Sequence, residues 1–283
     1  MLADIAHAAV IPAHDDPGRP IEHAARTCHN FPGASYVLPA DETEKKRLVL
    51  QHEVMKRAFD GKIVLPPIDI NKAQFILDSG TGGAIWLVDL ASQVNPSTIL
   101  HGIDIEARLF PSPAPLNLSF SINSVTALPE GWTGRFDFVH QRILKVALCS
   151  SEWPVAVAEI FRVVRPGGAS SKRLLEKRGM LVDVADRLPG MLKEAGFVNV
   201  SIEERGMKAG AWAGKDGCEV RDNYIGVYRG MKTPILNAGG LGVVDSEKEF
   251  DDFLDAVEAE WDEIEGTELE MFIMCAQKPL QTA

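Results

Sequence analysis

A turn rich in small residues is the strongest candidate for chemistry in this sequence. It follows a short apolar segment that predicts a buried strand ending at Asp78, and it contains Gly80, Thr81, Gly82 and Ala84. Gly80 allows a sharp change of chain direction, and Gly82 allows a ligand to approach the backbone. Ala84 is small enough for a following helix to pack closely on the strand. The pattern therefore predicts a place where the polar end of a nucleotide-type cofactor meets backbone amides.

An acidic residue at the end of the next predicted strand belongs with this turn. Asp104 lies 20 residues after Ala84, within the predicted strand 97–105. A carboxylate at that position accepts hydrogen bonds from both ribose hydroxyls of a bound nucleoside. Ile105 would then pack on the adenine face. The alternative interpretation is that Asp104 caps the next segment.

The turn alone fits two cofactors, S-adenosylmethionine (SAM) and NAD. Asp78 lies where it could bind the amino group of a methionine moiety, whereas a dinucleotide site disfavours an anion beside its pyrophosphate. A helical segment beginning at Asp41 precedes the turn, so the turn does not open the chain. A site for NAD would instead indicate a nicotinamide-dependent oxidoreductase. These features favour SAM and keep NAD as the alternative.

The rest of the chain alternates predicted strands with predicted helices. Short apolar runs recur between segments of helical spacing, with short connections. This alternation predicts an α/β fold, a Rossmann-like doubly wound and mostly parallel sheet with helices on both faces. The later predicted strands are 97–105, 117–125, 135–140, 196–202 and 270–276, and the helices are 84–94, 152–164, 221–233 and 246–261.

Several motifs together resemble one enzyme family. The chain resembles class I SAM-dependent methyltransferases, and within them the fungal group linked to secondary metabolism (LaeA-like), over roughly residues 36 to 279. This resemblance implies methyl transfer to a small-molecule acceptor and leaves the acceptor atom open. The motifs are 36–41 with Glu44, Arg47-Leu48 and Gln51-His52; 77–82; 121–129; 138–142; 152–154; 221–226; and the pairing of 136–139 with 165–168.

The resemblance also assigns roles by position. His140 becomes the candidate catalytic base at the methyl-transfer site, with His52 on the N-terminal helix as the second candidate. A packed core histidine is the alternative for His140, and a turn residue is the alternative for Asn123. The implied cofactor residues are Asp78, Gly80, Thr81 and Gly82 at the methionine end, Asp104 and Ile105 at the ribose and adenine, Asn123, Ser124 and Val125 beside the adenine, and Gln141 near the methyl group.

One departure from the family pattern concerns the middle of the sheet. The Pro-Gly-Gly turn that ends at Gly168 normally leads into a fifth strand, but here it leads into Ala169-Ser170-Ser171-Lys172-Arg173. We predict that the fifth strand is missing after Gly168 and that residues 170–195 are mostly helical, with Leu181, Val184, Leu188, Leu192 and Ala195 on one face. Because such a loss would leave backbone groups unpaired in the core, it favours a second hypothesis, a catalytically impaired or regulatory relative.

The charge and cysteine content of the chain limit the classes of binding partner that we expect. The chain has 283 residues and a net charge of −11, so nucleic acid and anionic membranes are not expected partners. The four cysteines, Cys28, Cys149, Cys218 and Cys275, form no CxxC pair, so no metal site is expected. We expect a cytoplasmic or nuclear protein with a flexible N-terminal arm over 1–34 and a SAM-binding domain with an N-terminal helical lid over 35–283. The oligomeric state is left open.

Overall fold

A seven-stranded sheet forms the centre of the protein. The computed structural model describes residues 19–29, 31–34, 36–66, 68–176 and 184–280. Its strands are β1 (Phe75–Ser79), β2 (Ile99–Asp104), β3 (Leu118–Ile122), β4 (Phe136–Arg142), β5 (Val164–Glu176), β6 (Val198–Lys208) and β7 (Glu268–Gln277). They lie in the order β3-β2-β1-β4-β5-β7-β6. β7 pairs antiparallel with both of its neighbours, and the other pairs are parallel.

Helices cover both faces of this sheet. They are α1 (Glu42–Ala58), α2 (Ile85–Ala91), α3 (Glu152–Val163), α4 (Val184–Glu194), α5 (Gly214–Gly230), α6 (Lys232–Asn237) and α7 (Glu247–Glu263). α2 packs on one face, where Trp86 joins Ile76 and Phe138 in a buried cluster. α3 and α4 pack on the other face against Leu77 and Val139. The predicted doubly wound α/β class is confirmed.

β5 occupies the position that the sequence predicts to be empty. It pairs in parallel with β4 from Ala169 to Arg173 and antiparallel with β7 from Ala169 to Glu176. The prediction of a missing fifth strand, with a helix from residue 170, is therefore wrong. Pairing on both sides satisfies the backbone of a segment whose Ser-Ser-Lys-Arg composition is unlike a buried strand. The helix of that region begins at Val184, and Leu181 lies outside the described residues.

β5 contains a buried serine, Ser170, whose replacement should change the stability of the protein. This side chain is 1% exposed, and its Oγ has no hydrogen-bond partner. Because an unpaired buried hydroxyl is costly, we expect Ser170→Ala to raise the free energy of unfolding by about 1 kcal/mol. Denaturant titration would measure the change, with Ser201→Ala on the exposed edge strand β6 as the matched control. A less stable Ser170→Ala protein would contradict the prediction.

The N-terminal segment contacts the domain from residue 19 onward. The Ile21 amide donates to the Leu236 carbonyl at 3.0 Å, and the Ala40 amide donates to the Thr27 carbonyl at 2.7 Å. Arg26 forms an ion pair with Asp41, the residue that caps α1. These contacts join residues 19–29 to the domain, whereas we predict a flexible arm there from sequence. Residues 1–18 of that arm lie outside the described part of the chain.

The described helices include none that is long and apolar enough to cross a membrane.

Candidate active site

A cavity of about 540 Å³ opens at the carboxyl ends of β1, β2 and β4. This edge of a parallel sheet is where ligands bind in doubly wound folds. Eight of the predicted cofactor residues line the cavity: Gly80, Thr81, Gly82, Asp104, Ile105, Asn123, Ser124 and Val125. Asp78, His140 and Gln141 are not among the residues that line it.

The Gly-rich turn forms the floor of the cavity. Gly80 and Gly82 have φ angles of +78° and +53°, which glycine adopts without steric cost. A Cβ at Gly80 would lie 2.8 Å from Leu144 Cδ2, and a Cβ at Gly82 would lie 3.4 Å from Leu48 Cδ1. Larger residues would therefore narrow the space between this floor and the side chains above it. Ala84 also adopts the left-handed region, with φ +56°.

Asp104 connects this floor to the end of β2. Its Oδ2 accepts a hydrogen bond from the Gly82 amide at 2.7 Å, and its Oδ1 accepts one from the Glu106 amide at 3.1 Å. Burial raises the pKa of Asp104 to about 6, although these backbone hydrogen bonds act in the opposite direction. Each carboxylate oxygen has a second lone pair, so Asp104 keeps acceptor capacity for ribose hydroxyls.

The loop after β3 closes the adjacent side of the cavity. The Asn123 amide donates to the Asp104 carbonyl at 3.1 Å, and Asn123 Nδ2 donates to Ser121 Oγ at 2.7 Å. Ser124 Oγ bonds Thr126 Oγ1 at 2.7 Å, and Val125 is buried. Ordered backbone and an apolar side chain thus lie beside Asp104, as the predicted adenine wall requires.

Asp78 and His140 lie one layer beneath the floor. Both side chains are buried, and His140 Nδ1 lies 2.7 Å from Asp78 Oδ1. Thr81 Oγ1 donates to Asp78 Oδ2 at 2.7 Å, and the His140 ring stacks on Trp86 with centroids 3.9 Å apart. Burial raises the pKa of Asp78, but His140, Arg142 and Thr81 outweigh it and hold that pKa below its ordinary value.

This geometry favours a positioning role for His140. The His140 imidazole lies beneath the glycine-rich turn and contacts the Asp78 carboxylate. Asp78 accepts a hydrogen bond from Thr81 of the cavity floor. The catalytic role of His140 and the contact of Asp78 with the methionine amino group remain predictions.

Gln141 takes part in a buried polar row instead of facing the cavity. Its Oε1 accepts a hydrogen bond from Lys172 Nζ, and its Nε2 lies 3.4 Å from Ser79 Oγ. Gln141 pairs with both residues across β1, β4 and β5. Burial lowers the pKa of Lys172 to about 7. The side chain of Gln141 therefore supports the sheet behind the site.

The lid helix α1 contributes a buried ion pair to the cavity wall. Arg47 lines the cavity, and its Nε donates to Glu44 Oε2 at 2.9 Å. Its Nη1 donates to Asn223 Oδ1 of α5 at 3.0 Å. Gly226 of α5 leaves room for this side chain, because a Cβ there would lie 2.9 Å from Arg47 Cδ. The hydrogen bond to Asn223 ties α1 to α5, and the ion pair with Glu44 neutralises the guanidinium charge.

A second network ties α1 to the sheet and to α2. Arg142, which also lines the cavity, donates through Nη1 to His52 Nδ1 at 3.0 Å. His52 Nε2 then donates to Asp89 Oδ2 at 3.0 Å, and Lys56 donates to the same oxygen. Burial and the neighbouring Arg142 lower the pKa of His52. Because its Nδ1 accepts from Arg142, His52 has no spare lone pair for use as a base.

The remaining wall is apolar and aromatic. It is formed by the segment before α1 and by α5 and its C-terminal end: Tyr36, Leu38, Tyr224, Val227, Tyr228 and Met231. Tyr36 and Tyr224 occur in the motifs on which the family resemblance depends, but the sequence does not assign them to the site. Leu38 also lies in one of these motifs, whereas Tyr228 and Met231 carry no sequence signal that separates them from ordinary core residues.

Comparison with known proteins identifies the family. A family model described as a methyltransferase domain matches residues 76–168. The N-methyltransferase sirN of Leptosphaeria maculans is 33% identical over 221 residues, which cover 75% of this chain and 75% of sirN. This chain belongs to the SAM-dependent methyltransferases. The N-methyltransferase verN of Clonostachys rogersoniana is 28% identical over 293 residues, covering 93% of the methyltransferase and 96% of verN.

A solved structure agrees with this fold. The [4+2]-cyclase SpnF superimposes on the methyltransferase with a TM-score of 0.50 at 17% identity, covering 86% of this chain and 99% of that chain. The resemblance predicted from the motifs is thus confirmed, as is SAM as the cofactor. The NAD alternative is not supported.

The residues of the cavity fit this cofactor. The glycine turn leaves space that a Cβ would fill, Asp104 offers oxygen acceptors, and Val125 offers an apolar surface. SAM supplies an activated methyl group on a sulfonium. Among the described residues, no cluster of three or more His, Cys, Asp or Glu side chains could hold a metal ion.

Proposed function

We propose that this methyltransferase transfers the methyl group of SAM to a nitrogen atom of an uncharged, partly aromatic small molecule. The observation that carries the proposal is the state of the ionisable groups on the cavity wall. The carboxylates and the histidine that line it, where the structure describes them, are held in hydrogen bonds or ion pairs. A nitrogen with its own lone pair needs no protein base, whereas a hydroxyl needs one.

Each carboxylate on the described cavity wall, and the histidine there, has a hydrogen-bond or ion-pair partner. Glu106 forms an ion pair with Arg108, and Glu152 accepts from the Cys149 amide at 2.7 Å. His29 accepts from the Phe31 amide at Nδ1 and donates from Nε2 to the Tyr36 carbonyl at 2.8 Å. Asp104 is held by two backbone amides. Each of these interactions lowers the availability of the group as a general base.

The tyrosines of the wall also disfavour base catalysis. Burial raises the pKa of Tyr36 and of Tyr228, so both phenols stay protonated at neutral pH. Tyr224 and Tyr228 stand with ring centroids 5.4 Å apart. A protonated aromatic wall favours a neutral, partly aromatic acceptor.

The protein then acts mainly by positioning. The floor and the adenine wall fix the cofactor, and the wall of α5 brings the acceptor nitrogen in line with the methyl group. Proximity and exclusion of water lower the barrier, since the methyl group is already activated. Two relatives named as N-methyltransferases support the choice of nitrogen.

The proposal predicts that the acceptor's own pKa sets the pH dependence of the reaction. We would supply SAM with a trideuterated methyl group, together with a series of aromatic amines of graded basicity and their hydroxyl counterparts. Mass spectrometry should locate the label on nitrogen. The midpoint of kcat/KM against pH should move with the pKa of the amine. A single midpoint shared by all amines, or faster labelling of the hydroxyl compounds, would contradict the proposal because it would reveal a protein base.

A further inference from the structure

Gln51 presents an unpaired hydrogen-bond donor at the cavity wall. Its side chain is 3% exposed and lines the cavity, and its Nε2 has no hydrogen-bond partner. Buried amide groups are almost always paired, because an unpaired donor has lost its water without replacement. An unpaired donor at a cavity wall therefore indicates an oxygen acceptor on the molecule that fills the cavity.

Arg142 adds a positive charge to the same region. Its Nη1 bonds His52, which follows Gln51 directly on α1, and His52 accepts this bond in its neutral form. Arg142 thus has a neutral partner there, and the Asp78 carboxylate near it is already held by His140 and Thr81. A guanidinium and an amide donor on one wall together favour an anion with two oxygens.

The position of α1 indicates which end of the cofactor lies beside Gln51 and Arg142. Leu48 lies one turn before Gln51 on α1, and it packs over Gly82 of the floor. The family resemblance predicts that Gly82 holds the methionine end of SAM. On this prediction Gln51 and Arg142, which also line the cavity, lie near the methionine end, and the resemblance assigns Asp104 and Asn123 to the nucleoside end.

We infer that Gln51 Nε2, together with Arg142, binds the carboxylate of the methionine moiety of SAM. The inference rests on SAM binding in this cavity and adds the residues that recognise its amino-acid end. The lid helix then contributes directly to cofactor affinity, because Gln51 belongs to α1. Cofactor binding also satisfies a donor that is unpaired in the free protein.

Two ligands test this assignment in the purified protein. S-adenosylhomocysteine (SAH) carries the carboxylate, whereas 5′-methylthioadenosine has the same nucleoside and a thioether without the amino-acid end. For Gln51→Met, we expect calorimetry to show a Kd for SAH that rises about ten- to a hundredfold, with a Kd for methylthioadenosine that is unchanged. The melting temperature of the free variant should rise, because the unpaired donor is gone.

The controls separate this inference from the choice of cofactor. Val49→Ala alters an exposed residue of the same helix (46% exposed) and should leave both affinities unchanged. An unchanged SAH affinity in Gln51→Met, or equal losses for both ligands, would overturn the inference while SAM remains the cofactor. A higher KM for the methyl acceptor with unchanged SAH affinity would also overturn it, since Gln51 would then serve the acceptor. Failure of the wild-type protein to bind SAH would instead refute the cofactor site itself.

Discussion

Lys172→Met is expected to raise the free energy of unfolding by about 2 to 3 kcal/mol at pH 8. Lys172 lies in the central strand β5, is 2% exposed, and donates to Gln141. Burial lowers its pKa from 10.5 to about 7, so the folded protein must hold a neutral amine that the unfolded chain would protonate. Methionine has a similar shape without this cost. The unpaired Gln141 oxygen offsets part of the gain.

The sign of the pH dependence follows from the same shift. Between pH 7 and about 10.5 the unfolded chain binds one more proton at Lys172 than the folded protein does. The wild-type protein should therefore gain about 1.4 kcal/mol of stability for each pH unit in this range, relative to Lys172→Met. Below pH 7 the difference between the two proteins should become constant.

Denaturant titrations of both proteins from pH 6.5 to 9 would measure this difference in the free energy of unfolding. Other groups titrate in the same way in both proteins and therefore do not contribute to the difference. Lys62→Met, at an exposed lysine, is the matched control and should show no slope. A parallel pH dependence for wild type and Lys172→Met would show that Lys172 is not buried, and would remove the basis for β5 as described.

Asp104→Ala is expected to raise the Kd for SAH by about a hundredfold or more. Hydrogen bonds to an ionised acceptor contribute about 1.5 to 3 kcal/mol each, and Asp104 offers two oxygens at the end of β2. The alanine also removes the acceptor of the Gly82 amide. Asp104→Asn separates the two effects, because its amide oxygen can still accept from Gly82. The asparagine variant should therefore lose less affinity, about tenfold.

The raised pKa of Asp104 also predicts how pH affects cofactor binding. The carboxylate is ionised above about pH 6 and protonated below it. Because the ionised form is the better acceptor, the Kd for SAH should be constant above pH 7 and should rise below pH 6 towards about ten times that value, since protonated Asp104 then resembles the asparagine variant. Asp104→Asn should show a flat profile between pH 5 and 8. A wild-type profile without this rise would assign the ribose contact to another group.

The sequence predicts most of the fold from local patterns. β2 and β4 lie within two residues of their predicted bounds, and β1 ends one residue after the predicted Asp78, because apolar runs between turn residues persist in the structure. β5 does not follow from its sequence. Its Ala-Ser-Ser-Lys-Arg segment has few apolar residues, and its strand form depends on backbone pairing with β4 and β7, which are distant in sequence. Tertiary pairing of this kind outweighs local propensity.

The sequence predicts those parts of the site that are formed by the main chain. Gly80 and Gly82 carry a backbone signal, and Asp104 ends a strand in both sequence and structure. Asp78 and His140 were expected at strand ends, but β1 and β4 continue beyond them, to Ser79 and to Arg142, and place both side chains beneath the floor.

The remaining site residues were not predicted, because the direction of their side chains depends on tertiary packing. Gln51 and Tyr228 reach the cavity through the packing of α1 and α5 over the sheet, and Arg142 reaches it from the end of β4. Sequence spacing does not specify that packing.

Calorimetric titration of the wild-type protein with SAH and with NAD tests the central claim most directly. Asp104, the glycine turn and the family relationship predict that one SAH binds per chain, that binding weakens in Asp104→Ala, and that NAD does not bind. Tight binding of NAD without binding of SAH would contradict the assignment of this cavity as the site of a SAM-dependent methyltransferase.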